Sequence, residues 1–141
     1  MPLVERTATV TWAGDLRTGS GTLRVGSGAL PDLRVTFSSR AEAPQGLTSP
    51  EELLAAAHAI CYAMALTHVL TQAGHRPEQL TITATCAWDP VALRITRMSL
   101  HAKAQAPGLE GHRLQELARQ AEQICPVSNA LRGNVEIVME A

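Results

Sequence analysis

Two cysteines in this sequence have surroundings that could support thiol chemistry. Cys61 lies in the apolar stretch HAICYAMAL, and Cys125 directly precedes a proline in ICPVSNAL. A thiolate can attack a peroxide oxygen, and a second thiol close to it can trap the sulfenic acid that forms. Spacing alone does not bring Cys61 and Cys125 together, so two inert core thiols remain an open alternative.

The proline gives Cys125 a position that differs from that of an ordinary core cysteine. Pro126 at the first position of a helix would aim the N–H groups of residues 127–129 back toward the sulfur and lower the pKa of Cys125. A working thiolate also needs a cation beside it, and arginine suits because it stays charged. Cys86 lies in a predicted strand without such features and is expected to be a core residue.

His58 precedes Cys61 by three positions, so the two side chains share a helix face. This arrangement permits a Cys–His hydrolase or part of a metal site. A hydrolase also needs an oriented base and an oxyanion hole, which the sequence does not reveal, and a metal needs further ligands at the usual spacing. We therefore expect no metal, and the lack of a glycine-rich phosphate loop leads us to expect no cofactor.

Composition narrows the class of function. The 141 residues carry a formal net charge of −1 and only 3% aromatic side chains, which argues against a nucleic-acid partner. The N-terminus lacks the pattern of a signal peptide, and two histidines and a threonine interrupt the longest apolar run, so neither export nor a membrane span is expected. A cytoplasmic location follows, where paired cysteines are more often catalytic, redox-active or metal-binding than structural.

The elements that must position Cys61 begin with three short strands and a long helix. Glycine turns separate the strands TATVTWAG, TLRV and LRVTFSSR. Ser49 as the cap, Pro50 at the first helical position and Gly74 after the end predict a helix over 50–73. Residues 53–66 are apolar or small on nearly every face, so this helix must be buried all round, and one small sheet cannot enclose it. We therefore predict a homodimer.

The second half of the chain supplies the elements around Cys125. Strands LTITATCAWD and LRITRMSLHAKAQA are joined by a hairpin at residues 90–92, and NVEIVME is a last strand. Between them lies an amphipathic helix that ends before Pro126 and a shorter helix at about 126–131. The stripe of the amphipathic helix comprises Leu114, Leu117, Ala121 and Ile124. The order βββ-α-ββ-α-β predicts an α+β fold, and the chain reads as a single domain, residues 1–141.

The stretches TSPEELLAAAHAICYAMAL and CPVSNAL together resemble the osmotically inducible protein C / organic hydroperoxide resistance family, over nearly the whole chain. The paired motif is T-[NS]-P-E-[EQ]-L, with a cysteine ten residues after its first glutamate, followed later by C-P-V-S. GDLRTGSG, SSRAEA and EELLAAAHA resemble the osmotically inducible branch more closely. The resemblance implies antiparallel sheets wrapped around a long buried central helix, in an intertwined homodimer with active sites at the subunit interface.

The same resemblance implies a thiol-dependent peroxidase with peroxiredoxin-like chemistry, which reduces organic hydroperoxides and also hydrogen peroxide. It assigns Cys61 as the peroxidatic cysteine and Cys125 as the resolving one. Arg40 would hold the thiolate and Glu51 would hold that arginine, whereas Arg17 matches the arginine of the other branch and leaves the choice open. The implied reductant is a dithiol, carried by a lipoyl-bearing protein.

Position along the helix adds a constraint on Glu51, which lies ten residues before Cys61. That spacing corresponds to roughly 15 Å of helix, so Glu51 must act through an arginine or from the partner's helix. The dimer would then be a condition of activity. Apolar side chains near Cys61 would favour alkyl peroxides: Met64, Phe37, Tyr62 and Val127.

Two other classes of function stay open. A non-enzymatic stress-related ligand-binding protein would use the apolar interface as a pocket, with Cys61 merely lining it. A Cys–His hydrolase would depend on His58 instead. Neither His58 nor Cys86 belongs to the catalytic motif of the family that the chain resembles.

Overall fold

The computed structural model describes residues 1–141 and divides into two compact units, residues 1–50 and 51–141. The N-terminal unit contains an antiparallel three-stranded sheet in the order β1 (Ala8–Ala13), β2 (Ser20–Val25) and β3 (Leu33–Val35). The turn between β1 and β2 carries Arg17. It is closed by Asp15, whose carboxylate accepts the backbone N–H of Thr18 at 2.7 Å.

A short helix, α1 (Phe37–Ala41), follows β3 where the sequence predicted that the strand continues through Arg40. The extension of the strand is therefore wrong. Thr36 is the reason, because its side chain accepts the N–H of Ser39 and caps the first turn of α1. As a consequence Phe37 and Arg40 lie one helical turn apart rather than alternating along a strand.

Helix α2 (Pro50–Gln72) lies in the second unit apart from its first residue, and it has the predicted start and ends one residue early. Gly74 follows with a φ of 86°, and the N–H of His75 returns to the carbonyl of Leu70 at 2.8 Å. A left-handed glycine with this backbone bond is the common stop signal of a helix. The predicted extent of the helix is thus confirmed to within a residue.

Within the single chain, helix α2 buries one face and leaves the opposite face open, as expected if a partner covers the rest. Its buried residues are Glu51, His58, Tyr62, Ala65, Leu66 and Leu70. On the opposite side Ile60 and Met64 are 59% and 69% exposed. By length and composition α2 could also cross a bilayer, contrary to the prediction from its polar interruptions, but core helices of soluble proteins share this property.

The strands β4 (Gln79–Asp89) and β5 (Arg94–Gln105) form the predicted hairpin. The carboxylate of Asp89 closes it by accepting the N–H groups of Val91 and Ala92. Strand β6 (Glu136–Glu140) pairs with β5 in parallel, so this second sheet is mixed rather than purely antiparallel. The overall α+β class is confirmed.

Two helices connect β5 to β6 and bring the second cysteine into the core. Helix α3 (Gly111–Ile124) buries Leu117, Ala118 and Ala121, and helix α4 (Pro126–Leu131) follows after a single residue, Cys125. The buried cluster of this unit joins α2, β5 and α3 around Tyr62, Leu66, Leu70, Leu100, Leu117 and Cys125. Cys125 thus lies in the core at the point where α3 stops and α4 starts.

Candidate functional site: a pair of thiols

The thiols of Cys61 and Cys125 lie within hydrogen-bonding reach of each other. Both are reduced, Cys125 is fully buried and Cys61 is half-buried. The structure therefore brings together two cysteines that the sequence could connect only through a resemblance. A half-buried thiol can meet a small substrate, whereas a fully buried one can react only with a group already beside it.

Pro126 explains the placement of Cys125. A proline clashes with an α-helical residue before it, so Cys125 leaves the helix with φ −75° and ψ 114°. Pro126 is then well placed as the first residue of α4, where its missing N–H costs nothing. The chain turns at Cys125 and directs its side chain into the core beside α2.

The N-terminus of α4 serves Cys61, not Cys125. The backbone N–H of Val127 donates toward the sulfur of Cys61, while the side chain of Cys125 makes no capping hydrogen bond. The prediction that these amides point at the sulfur of Cys125 is therefore wrong. The side chain of Cys125 lies beside Cys61 instead.

The electrostatics of Cys61 within its unit disfavour a free thiolate. Burial raises the pKa of Cys61, the adjacent Cys125 raises it further, and the N–H of Val127 acts in the opposite direction. Burial has this effect because the charged sulfur loses hydration. A reactive Cys61 therefore needs a nearby positive charge in addition to the N–H of Val127.

His58 and Ser128 form a buried pair that the sequence reasoning missed. The imidazole Nε2 of His58 lies 2.7 Å from the hydroxyl of Ser128, and both residues are fully buried. Burial lowers the pKa of His58 below its usual value, while the carboxylate of Glu122 opposes that shift. The signal was present as spacing: His58 lies three residues before Cys61, and Ser128 three residues after Cys125.

Both candidate arginines lie in the N-terminal unit, one within α1 and the other in contact with it. Arg40 lies in the last turn of α1, and the guanidinium of Arg17 stacks on the ring of Phe37, 5.5 Å from its centre. Phe37 is therefore engaged by a cation–π contact of the kind that fixes an arginine side chain. Arg40 thus belongs to the short helix α1, and Arg17 contacts its first residue, Phe37.

Glu51 occupies the first turn of α2 and is buried. Its carboxylate is close enough to Cys86 to raise the pKa of that thiol, in addition to the larger effect of burial. Cys86 is half-buried in β4. Glu51 therefore lies near the third thiol of the chain, at the opposite end of α2 from the helix stop.

The side chains expected to line a substrate pocket have diverse surroundings. Met64 is exposed on α2, and the side chain of Val127 packs at the edge of the buried cluster. Tyr62 is fully buried, and its hydroxyl donates to the carbonyl of Ala118 in α3 at 2.8 Å. The Tyr62 hydroxyl is thus engaged between two helices instead of facing a substrate.

Comparisons with known proteins find similar sequences over most of the chain. The family model described as OsmC-like protein matches residues 43–140. The chain is 34% identical over 128 residues to the peroxiredoxin OsmC of Escherichia coli (strain K12), covering 89% of each protein. It is 30% identical over 93 residues to an organic hydroperoxide resistance protein of Xanthomonas axonopodis pv. citri, covering 65% of each.

Among solved structures, a similar one is the organic hydroperoxide resistance protein OsmC from Legionella pneumophila. It superposes with a TM-score of 0.74 at 26% sequence identity, covering 95% of each chain. The similarity therefore extends over both units of the chain and includes the stretch that contains the two cysteines.

Proposed function

The chain belongs to the OsmC-like protein family, and from that membership together with the contact between its two reduced thiols we propose that it is a two-cysteine peroxidase for organic hydroperoxides. The names of its relatives support a peroxide-related function. The observation that carries the two-cysteine chemistry is the Cys61–Cys125 contact, with one thiol accessible and the other buried.

The exposure of the two sulfurs supports their roles. The Cys61 thiolate attacks one oxygen of ROOH, the O–O bond breaks, and ROH leaves after taking up a proton. Cys61 is then a sulfenic acid, and the thiol of Cys125 attacks its sulfur, releasing water and forming a disulfide. Cys125 is buried and cannot meet a peroxide first, which suits the resolving role.

A dithiol would return the disulfide to two thiols, and a lipoyl-bearing protein remains the proposed donor. Hydrogen peroxide remains a proposed second substrate, less favoured than alkyl peroxides because apolar side chains surround Cys61. The proposed cytoplasmic location suits this cycle, since thiols are kept reduced there.

The experiment that tests the function is consumption of cumene hydroperoxide by the purified protein with dihydrolipoamide. We expect rapid turnover with saturation in both components. No turnover with any dithiol would contradict the peroxidase and favour the ligand-binding protein. Ester hydrolysis that is lost in His58→Ala would instead favour the Cys–His hydrolase.

The cation that Cys61 needs is proposed to be Arg40, held in turn by Glu51, with Arg17 as the alternative. We expect the variant lacking the functional arginine, Arg40→Gln or Arg17→Gln, to raise the pKa of Cys61. The cause is loss of the charge that stabilises the thiolate. The pH dependence of Cys61 alkylation by iodoacetamide measures it, with the modified cysteine identified by mass spectrometry.

The other arginine variant is the matched control and should leave the pKa of Cys61 nearly unchanged. Arg40→Lys should retain part of the effect if Arg40 is the functional residue, because a lysine keeps the charge without the planar geometry. Unchanged alkylation profiles in both glutamine variants would contradict an arginine-held thiolate.

The exposed side of α2 supports the proposed homodimer. Its apolar stripe, formed by Ala56, Ile60 and Met64 at four-residue spacing, remains open in the single chain. Contiguous exposed apolar surface marks an interaction site. Cys61 follows Ile60 directly, so a partner covering the stripe would also enclose the half-buried thiol and make the site interfacial.

Met64→Lys should therefore convert a dimer into a monomer of 15.0 kDa and abolish turnover, because it places a charge in the buried interface. Sedimentation equilibrium measures the mass. Val91→Lys is the matched control, since Val91 is an equally apolar and 93% exposed side chain in the β4–β5 turn. A monomeric wild-type protein with full turnover would contradict the interfacial site.

A further inference from the structure

We propose that the hydrogen bond between His58 and Ser128 is a positioning device that holds the Cys125 thiol against Cys61, and so determines whether an oxidised Cys61 closes to a disulfide or is oxidised further. This inference rests on the proposed peroxidase function and deepens it. Two reactions compete for the Cys61 sulfenic acid. Condensation with Cys125 releases water, whereas a second ROOH yields the sulfinic acid and ROH.

The placement of His58 and Ser128 supports this role. The His58–Ser128 bond joins α2 to α4, the same two helices that bring together Cys61 and Cys125. On α2, His58 lies three positions before Cys61, which is about one turn, and Ser128 lies three positions after Cys125, the residue that precedes α4. A 2.7 Å contact so close to both sulfurs restricts how far the thiols can separate.

The low intrinsic stability of α4 also supports this role. A helix of six residues has too few internal hydrogen bonds to be stable by itself, so contacts with other elements must fix its position. At its end, Arg132 bonds to the carboxylate and the carbonyl of Glu122 in α3. Near its start, Ser128 provides the bond to α2. Arg132 thus secures α4 to the helix before it, and Ser128 secures it to the helix that carries Cys61.

The unpaired nitrogen of His58 indicates that this residue is present for its bond to Ser128. The Nδ1 atom is buried without a hydrogen-bond partner, which destabilises the fold whichever ring nitrogen carries the proton. An apolar side chain of similar shape would avoid this loss. The bond from Nε2 to Ser128 is the contribution that His58 makes and an apolar residue could not.

The first test uses the disulfide alone and needs no peroxidase activity. Protein equilibrated in glutathione redox buffers reports the effective concentration of the Cys61–Cys125 pair. We expect Ser128→Ala and His58→Asn to lower this value by about tenfold, as loss of one buried hydrogen bond that orders two reacting groups would do. His58→Gln should restore it, because the amide of glutamine lies where Nε2 lies and that of asparagine lies where Nδ1 lies.

The second test uses cumene hydroperoxide. In Ser128→Ala, we expect the peroxide concentration that converts half of Cys61 to sulfinic acid to fall by about tenfold, by the same loss of positioning. The rate constant for the first oxidation of Cys61 is measured separately, because the N–H of Val127 in α4 also contacts that sulfur. A purely structural role would lower the melting temperature without moving this partition.

Tyr62→Phe is the matched control, because it removes another buried helix–helix bond, from α2 to α3, and leaves α4 in place. It should destabilise the fold without changing the glutathione equilibrium. If Ser128→Ala does not fold, the comparison of His58→Gln with His58→Asn replaces it.

Unchanged glutathione equilibria in both Ser128→Ala and His58→Asn would overturn the proposal. Equal values for His58→Gln and His58→Asn would overturn it as well. A wild-type protein that consumes no peroxide but shows the predicted glutathione shifts would refute the peroxidase and leave the positioning role of His58–Ser128 supported.

Discussion

Cys61→Ser should reduce hydroperoxide consumption to the uncatalysed background. A serine hydroxyl has almost the same shape as the thiol but does not ionise near neutral pH and is a far weaker nucleophile toward peroxide oxygen. The fold should be retained, because Cys61 is only half-buried and the change in volume is small. Peroxide consumption with excess dihydrolipoamide is the measurement, and the melting temperature verifies folding.

The third thiol provides the matched control for this substitution. Cys86→Ser makes the same chemical change in β4, at a half-buried position outside the thiol pair. Its turnover should stay close to that of the wild-type protein. Equal activity losses in Cys61→Ser and Cys86→Ser would contradict the assignment of Cys61 as the nucleophile.

Cys125→Ser should rapidly reduce a first equivalent of peroxide per chain and then fail to turn over. The first oxidation requires only Cys61, and removal of Cys125 also removes a neighbour that raises the pKa of Cys61. The sulfenic acid then has no thiol beside it, so it accumulates and proceeds to sulfinic acid with excess peroxide. Rapid-mixing measurement of the first equivalent, followed by intact-mass analysis, distinguishes one oxygen from two on Cys61.

Steady-state turnover of Cys125→Ser can contradict the resolving role of Cys125. If Cys125→Ser cycles with dihydrolipoamide at the wild-type rate, the reductant reaches the sulfenic acid directly and Cys125 has no resolving role. A slow first equivalent would also contradict the assignment, because it would mean that Cys125 helps to activate Cys61 instead of trapping its product.

Local signals in the sequence predicted most of the fold. Pro50, the acidic first turn of α2 and Gly74 predicted a helix that the structure contains almost residue for residue, because caps and stops act within a few positions. Pro126 likewise predicted the break between α3 and α4. The helix α1 escaped prediction, since a single capping bond from Thr36 overrides the strand-like pattern of the residues around it.

Contacts between residues that are far apart in sequence could not be predicted from the sequence pattern. The parallel pairing of β6 with β5 depends on the path of two intervening helices, and no periodicity within β6 reveals it. The same holds for the site: spacing placed His58 beside Cys61, but it did not single out Ser128 or bring the segment around Cys125 against that helix. Only the resemblance to a family suggested that the two cysteines meet.

The parallel strand β6 has a consequence for how the thiol pair is assembled during synthesis. The β4–β5 hairpin is local and can form early, whereas β6 closes the sheet only after both helices of the crossover have been made. A protein that folds from its N-terminus as it leaves the ribosome would expose the Cys61 segment well before Cys125 is translated. During synthesis, Cys61 is thus present before Cys125. A Cys61 sulfenic acid formed at that stage would have no resolving thiol and could be oxidised further.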